Sequence, residues 1–272
     1  MTMRISSAEA FFEQVAEERF VPGEYTRGPW DADSQHAGPP AALLGRAVQT
    51  RRGAREDMRL ARITFEIISP VPLKPLAVAT RVLREGRSVE LVEAALRPEG
   101  SPEGDGEIMR ARALRIRTLP GSVPEVTPDP EVPGPEDSQP QPFFPVPWDV
   151  GYHTAMETRF AAGSFLEQGP ATCWMRMRVP LVAGEKTAPL DRVLVAADSG
   201  NGVSNVLDFG SNLFVNPDLT VHLHRHPVGE WVCIDARTSI DAAGVGMAET
   251  GIHDERGPIG RGVQSLFVAN RR

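Results

Sequence analysis

"LPGSVPEVTPDPEVPGPEDSQPQPFFPVPW", residues 119–148, carries about ten prolines and almost no hydrophobic periodicity. Proline fixes its own φ, lacks a backbone donor and pushes the residue before it away from helical geometry, so such a stretch is extended and poorly helical. It reads as a linker. On either side lie residues 1–118 and 149–272, each close to ordinary domain size.

The flanking segments share a plan. The first opens with a predicted amphipathic helix, Ser6 to Arg19, with Ala10, Phe11, Val15 and Ala16 at helical spacing. A second helix is predicted from Pro39 to Arg52, then strands at Leu60–Ser69, Leu76–Glu85, Ser88–Arg97 and Glu107–Arg117. The second has predicted strands at Tyr152–Ala161 and Ala171–Val182, a helix over Leu190–Ala197, and strands at Leu213–His224, Trp231–Ile240, Val245–His253 and Ile259–Ala269. Internal duplication explains this economically. Its clearest trace is "ITFEIISPVP" from Ile63 beside "LTVHLHRHP" from Leu219. A helix lying on a curved antiparallel sheet buries its apolar stripe and one sheet face together, and two such units joined edge to edge leave neither inner edge open. The fold class is α+β.

At 272 residues the chain can bury a sizeable core, and its formal charge of -7 argues against nucleic acid or a membrane surface as partner. No apolar run is long enough to span a membrane, and Met1 to Phe20, with Glu9, Glu13, Glu17 and Glu18, has no signal-peptide core, so a cytoplasmic location is expected. Cys173 and Cys233 lie in apolar, strand-like surroundings and read as core thiols. His222, His224 and His226 alternate, which predicts one strand face, but no cysteine or carboxylate stands at ligand spacing and no metal site is read there.

"DSQHAGPPAALLGRAV", residues 33–48, is a helix start. Proline suits the first helical turn, and the unpaired N–H groups and positive dipole end there can hold a carboxylate, a phosphate or a developing oxyanion.

Taken together, "HAGPPAALLGRA", the proline-rich linker, "LVAADSGNG", "HLHRHPVGEW" and "GRGVQSLFV" resemble, in order and spacing, the double hotdog acyl-CoA thioesterases of the thioesterase II type. The resemblance covers nearly the whole chain. It implies two tandem hotdog repeats packed as a pseudo-dimer, an acyl tunnel along the helix–sheet interface, and hydrolysis of acyl-CoA without metal, cofactor or covalent intermediate. It also implies a homodimer. By this resemblance Asp198 matches the family aspartate and Gln264 the glutamine. The family threonine falls on Asn216 when counted back without a gap from His224 and Arg225, and on Thr220 only after a four-residue shift.

The residue types suit the chemistry. Thioester hydrolysis needs a water deprotonated or oriented as it attacks; a carboxylate such as Asp198 can take the proton, and the amides of Gln264 and Asn216 can orient the water. Gly38 would let a carbonyl approach the backbone N–H groups of the helix start, with His36 lining the pocket or capping the helix. Each has an ordinary alternative: helix termination for Asp198 in "DSGNG", a strand surface for Gln264, a turn for Asn216 in "NPD". Two rival functions remain open at this level: a catalytically silent acyl-CoA or acyl-carrier binding protein, and a hotdog enoyl-CoA hydratase using Asp31 and His36.

Overall fold

Residues 6–101, 106–127 and 131–271 are described in this computed structural model. Met1 to Arg4 and Ile5, within the stretch read for a signal peptide, lie outside them.

The chain enters through a hairpin, β1 (Phe12–Ala16) and β2 (Arg19–Pro22), where the sequence predicts helix. Phe11 and Phe12 are adjacent yet both fully buried, while Val15 is 40% exposed, a pattern no single helix face yields. Backbone pairing decided the outcome: the N–H groups of Phe11 and Phe12 donate to the carbonyls of Pro180 and Leu181 at 3.0 and 2.9 Å, tying this hairpin to the other repeat. Such tertiary pairing overrides a weak local period.

Helix α1 (Gly38–Thr50) follows, with Pro39 and Pro40 in its first turn. Four long strands come next: β3 (Met58–Ile67), β4 (Leu76–Arg84), β5 (Val89–Pro98) and β6 (Met109–Arg117). Their alternating burial is the sequence pattern expressed directly. After the proline-rich segment, whose one short strand among the described residues is β7 (Gln139–Pro140), the chain turns through α2 (Tyr152–Ala155) into β8 (Met156–Ala162) and β9 (Ala171–Met177). The predicted strand from Tyr152 thus begins as a helical turn, because the Tyr152 N–H is taken by the carbonyl of Arg27 at 2.9 Å. The next strand stops before Pro180 rather than reaching Val182.

Helix α3 (Pro189–Ala197) and the short α4 (Gly200–Val203) precede β10 (Asn212–Val215), β11 (Asp218–Leu223), β12 (Trp231–Ile240), β13 (Val245–Asp254) and β14 (Gly257–Asn270). The strand predicted over Leu213–His224 is therefore two, broken at Asn216–Pro217, since proline cannot donate to a ladder. Because β11 ends at Leu223, of the three alternating histidines only His222 lies on a strand, and all three are exposed. Cys173 and Cys233 are free and buried.

Among the described residues one antiparallel sheet of 14 strands results, in the order β1-β2-β4-β5-β6-β3-β11-β14-β13-β12-β9-β8-β7, with β10 also on β14. The repeats join where β3 meets β11, Thr64 opposite Thr220. α1 and α3 pack against each other on the same core: a side chain at Gly45 would meet Leu194 Cδ1 at 2.2 Å. This is a double hotdog, two helix-on-sheet units sharing a continuous sheet.

Candidate active site

Asp198 stands at the C-terminal end of α3, its side chain 6% exposed. The N-terminus of α1 lies directly on that last turn: a Cβ on Gly38 would come within 2.3 Å of the Val195 carbonyl oxygen. Glycine at 38 is thus a requirement of close backbone approach. The contact brings the first amides of one repeat to the carboxylate of the other, and the Ala37 and Gly38 N–H groups donate to Asp198.

Two side-chain amides complete the surroundings. Asn216 Nδ2 donates to Asp198 Oδ1 at 2.7 Å; the break at Pro217 puts Asn216 off the ladder and free to reach inward. Gln264, on the inward face of β14 and 1% exposed, donates from Nε2 to Asp198 Oδ1 at 3.2 Å and to its backbone carbonyl at 3.1 Å. Its own Oε1 accepts the Asn201 N–H at 3.2 Å, fixing the amide orientation. Gly200 makes room, since a Cβ there would lie 3.0 Å from Gln264 Oε1 and 2.6 Å from Thr250 Oγ1.

Burial opposes all four donors and wins: the Asp198 carboxyl is pushed up to about 7. His36, buried against it with Nδ1 3.1 Å from Asp198 Oδ2, is driven down to about 3 by desolvation. The imidazole is therefore neutral, and its Nδ1 accepts the Gly38 N–H at 3.1 Å. A hydrogen bond between His36 and Asp198 then needs a proton on the carboxyl, and below about pH 7 one is there.

Tyr152 holds this pair in place. Its ring is stacked on His36 at 3.7 Å and 6°. Its hydroxyl donates to the Val195 carbonyl at 3.0 Å and lies 2.9 Å from Ser199 Oγ, both on the turn that presents Asp198.

His36, Gly38, Asp198, Asn216 and Gln264 are thus brought into one hydrogen-bonded group. Thr220 is elsewhere, bonded to Thr64 at 3.1 Å on the seam of the sheet. Asp31 is exposed, its carboxylate taken by Ser34 Oγ at 2.7 Å and the Asp33 N–H at 3.1 Å, while the carboxylate facing His36 is Asp198. The Gly38 amide, expected to face a substrate carbonyl, is donated here to Asp198 and His36.

A cavity of about 400 Å³ opens on this group, walled in part by Trp30, Phe143, Phe144, Phe165 and Phe214. Sequence reasoning missed three contributions. Tyr152 was hidden in a predicted strand, Asn201 in a glycine-rich turn, and Phe143 and Phe144 in the linker, where an adjacent aromatic pair among prolines was the available signal. Among the described residues no group of three or more His, Cys, Asp or Glu is placed to hold a metal ion.

The family model of the acyl-CoA thioesterase N-terminal domain matches residues 26–116, and that of the acyl-CoA thioesterase C-terminal domain matches residues 135–268. The chain belongs to the acyl-CoA thioesterase family. No curated protein matches it significantly. Among solved structures it is similar to a protein assigned as a thioesterase II from Thermobifida fusca, with 18% identity, TM-score 0.72 and 98% of each chain covered. It is also similar to the acyl-CoA thioesterase II of Mycobacterium marinum, with 14% identity, TM-score 0.65 and 97% and 96% covered. A hot dog protein from Alicyclobacillus acidocaldarius gives 17%, 0.69, 100% and 99%. At these identities the structures share the fold. The placement of the group around Asp198 across the two repeats is this chain's own geometry.

Proposed function

We propose that the protein hydrolyses acyl-CoA thioesters to the free acid and CoA, using water activated by Asp198. The observation that carries this reading is a buried carboxylate poised at about 7, beside an apolar cavity and two fixed amides. A general base works best with its pKa near the working pH.

The water oxygen attacks the thioester carbon as its proton passes to Asp198, giving a tetrahedral intermediate and a neutral carboxyl. Asn216 and Gln264 hold Oδ1, which leaves Oδ2 for the proton. A neutral carboxyl is a weaker acceptor, so the α1 amides at Ala37 and Gly38 are released toward the oxyanion as it forms. The C–S bond then breaks and the proton returns to the departing thiolate. His36, neutral throughout, accepts a hydrogen bond from the protonated Oδ2 and keeps that oxygen aligned. No metal or cofactor enters these steps, and the protein works as a homodimer, a state that light scattering reads directly.

The test is release of free thiol from a panel of acyl-CoA esters by wild type and Asp198→Asn. Turnover that falls by roughly a hundredfold or more in the variant is expected, the lower end of what a general base contributes. Full activity in the variant removes Asp198 from the reaction. Acyl-CoA binding without turnover of any ester identifies a silent binding protein instead.

A further inference from the structure

Phe143 and Phe144 lie between Pro142 and Pro145 and form a wall common to two spaces. On one side is the cavity of about 400 Å³ that reaches Asp198; on the other is an open groove of about 740 Å³, walled by the strap 140–146 and by His153, Thr158 and Arg178. Among the described residues these two phenylalanines alone line both. Resting on the thioesterase reading above, we propose that this pair of rings is the partition against which the acyl group ends, so that the enzyme selects compact acyl groups, aromatic, short or branched, over long fatty chains.

The partition is braced from both repeats. Phe143 packs on Phe165 at 4.5 Å, and Phe165, 3% exposed, packs edge-on against Phe160 at 4.9 Å. Phe144 is stacked on Trp30 at 5.4 Å and 26°, with Phe209 at 5.6 Å. The flanking prolines restrict the backbone that carries the two rings.

Exposure orients the cavity. Ile68, Trp30 and Val215, 53%, 48% and 45% exposed, and Arg271 stand at its rim, whereas Phe165, 3% exposed and packed on Phe143, lies at the closed end. The carrier arm therefore leaves past the rim and the acyl group points at the rings.

Size and shape then set the class. At about 30 Å³ per heavy atom, a space of about 400 Å³ holds on the order of a dozen, shared with the thiol end of the carrier, and a palmitoyl chain exceeds it. Flat ring faces and edges favour an aromatic guest by offset and edge-to-face contact.

Wild type, Phe144→Ala and the milder Phe144→Leu are assayed with phenylacetyl-, hexanoyl- and palmitoyl-CoA, the last below its micelle concentration. Wild type is expected to favour the two compact esters in kcat/KM by roughly tenfold or more, the scale of pocket-size discrimination. Opening the partition into the groove is expected to raise the palmitoyl-to-phenylacetyl ratio by a similar factor in Phe144→Ala and by less in Phe144→Leu. Equal use of palmitoyl-CoA by wild type overturns the proposal, as does an unchanged ratio in a variant that still turns over hexanoyl-CoA. If no ester is turned over, the thioesterase reading fails separately, and calorimetric binding of the same three esters judges the partition: palmitoyl-CoA binding as tightly as phenylacetyl-CoA overturns it.

Discussion

Asp198 is held by opposing forces, and each can be moved separately. The acid limb of kcat/KM should fall near pH 7, where burial has placed its carboxyl, because only the ionised form accepts a proton. Asn216→Ala removes the donor at 2.7 Å, disfavours the charged form and should shift that limb to higher pH. His36→Ala removes the neutral acceptor beside Oδ2, which favours the protonated form, and admits water, so its limb should move to lower pH. Two pH profiles moving the same way would contradict this account. The same burial costs stability: the folded pKa lies above the ordinary carboxylate value, so stability present below about pH 4 is lost as pH rises through about 7. Asp198→Asn should therefore melt no lower than wild type at pH 8 while losing activity; a lower Tm there would show the charge to be stabilising. The residues that gather around Asp198 were legible here through their motifs. Tyr152 was not, because a single tyrosine ahead of an alternating run carries no sign that its ring will lie on His36.

At the scale of elements the site exists because the start of α1 touches the end of α3. Gly38→Ala places a methyl within 2.3 Å of the Val195 oxygen, and overpacking of this kind costs about 1–3 kcal/mol. The variant should lose stability by about that amount in denaturant titration and lose activity, since the two helix ends must part; a fully active variant would show the contact to be dispensable. Tyr152→Phe removes one hydroxyl from the same junction and should cost about 1–2 kcal/mol with a fall in kcat at unchanged KM. Long alternating strands such as Val89–Pro98 were read to within one residue at each end, because burial on one face imposes a period of two. The Phe11–Phe12 hairpin was misread as helix because its register depends on backbone partners at Pro180 and Leu181, far away in sequence.

In the whole molecule, the β3–β11 seam and the α1–α3 packing join the repeats into one core. Thermal unfolding should be one transition, with calorimetric and van't Hoff enthalpies in agreement, and two resolved peaks would show the repeats to be independent. The duplication could be seen in the sequence from the proline-rich break. The role of that break could not, because Phe143 and Phe144 acquire partners only when Trp30 and Phe165 converge on them. In the proposed mechanism catalysis is likewise a property of the assembled pair: one repeat supplies the backbone amides, the other Asp198 and the two side-chain amides. The measurement that tests this most directly is single-turnover hydrolysis in oxygen-18 water with enzyme in excess, followed by mass analysis of the acid and of the peptide bearing Asp198. One labelled oxygen in the released acid, none in the peptide, and no turnover on that timescale by Asp198→Asn is the predicted result. Label in the Asp198 peptide with unlabelled acid would make Asp198 a nucleophile and contradict the account.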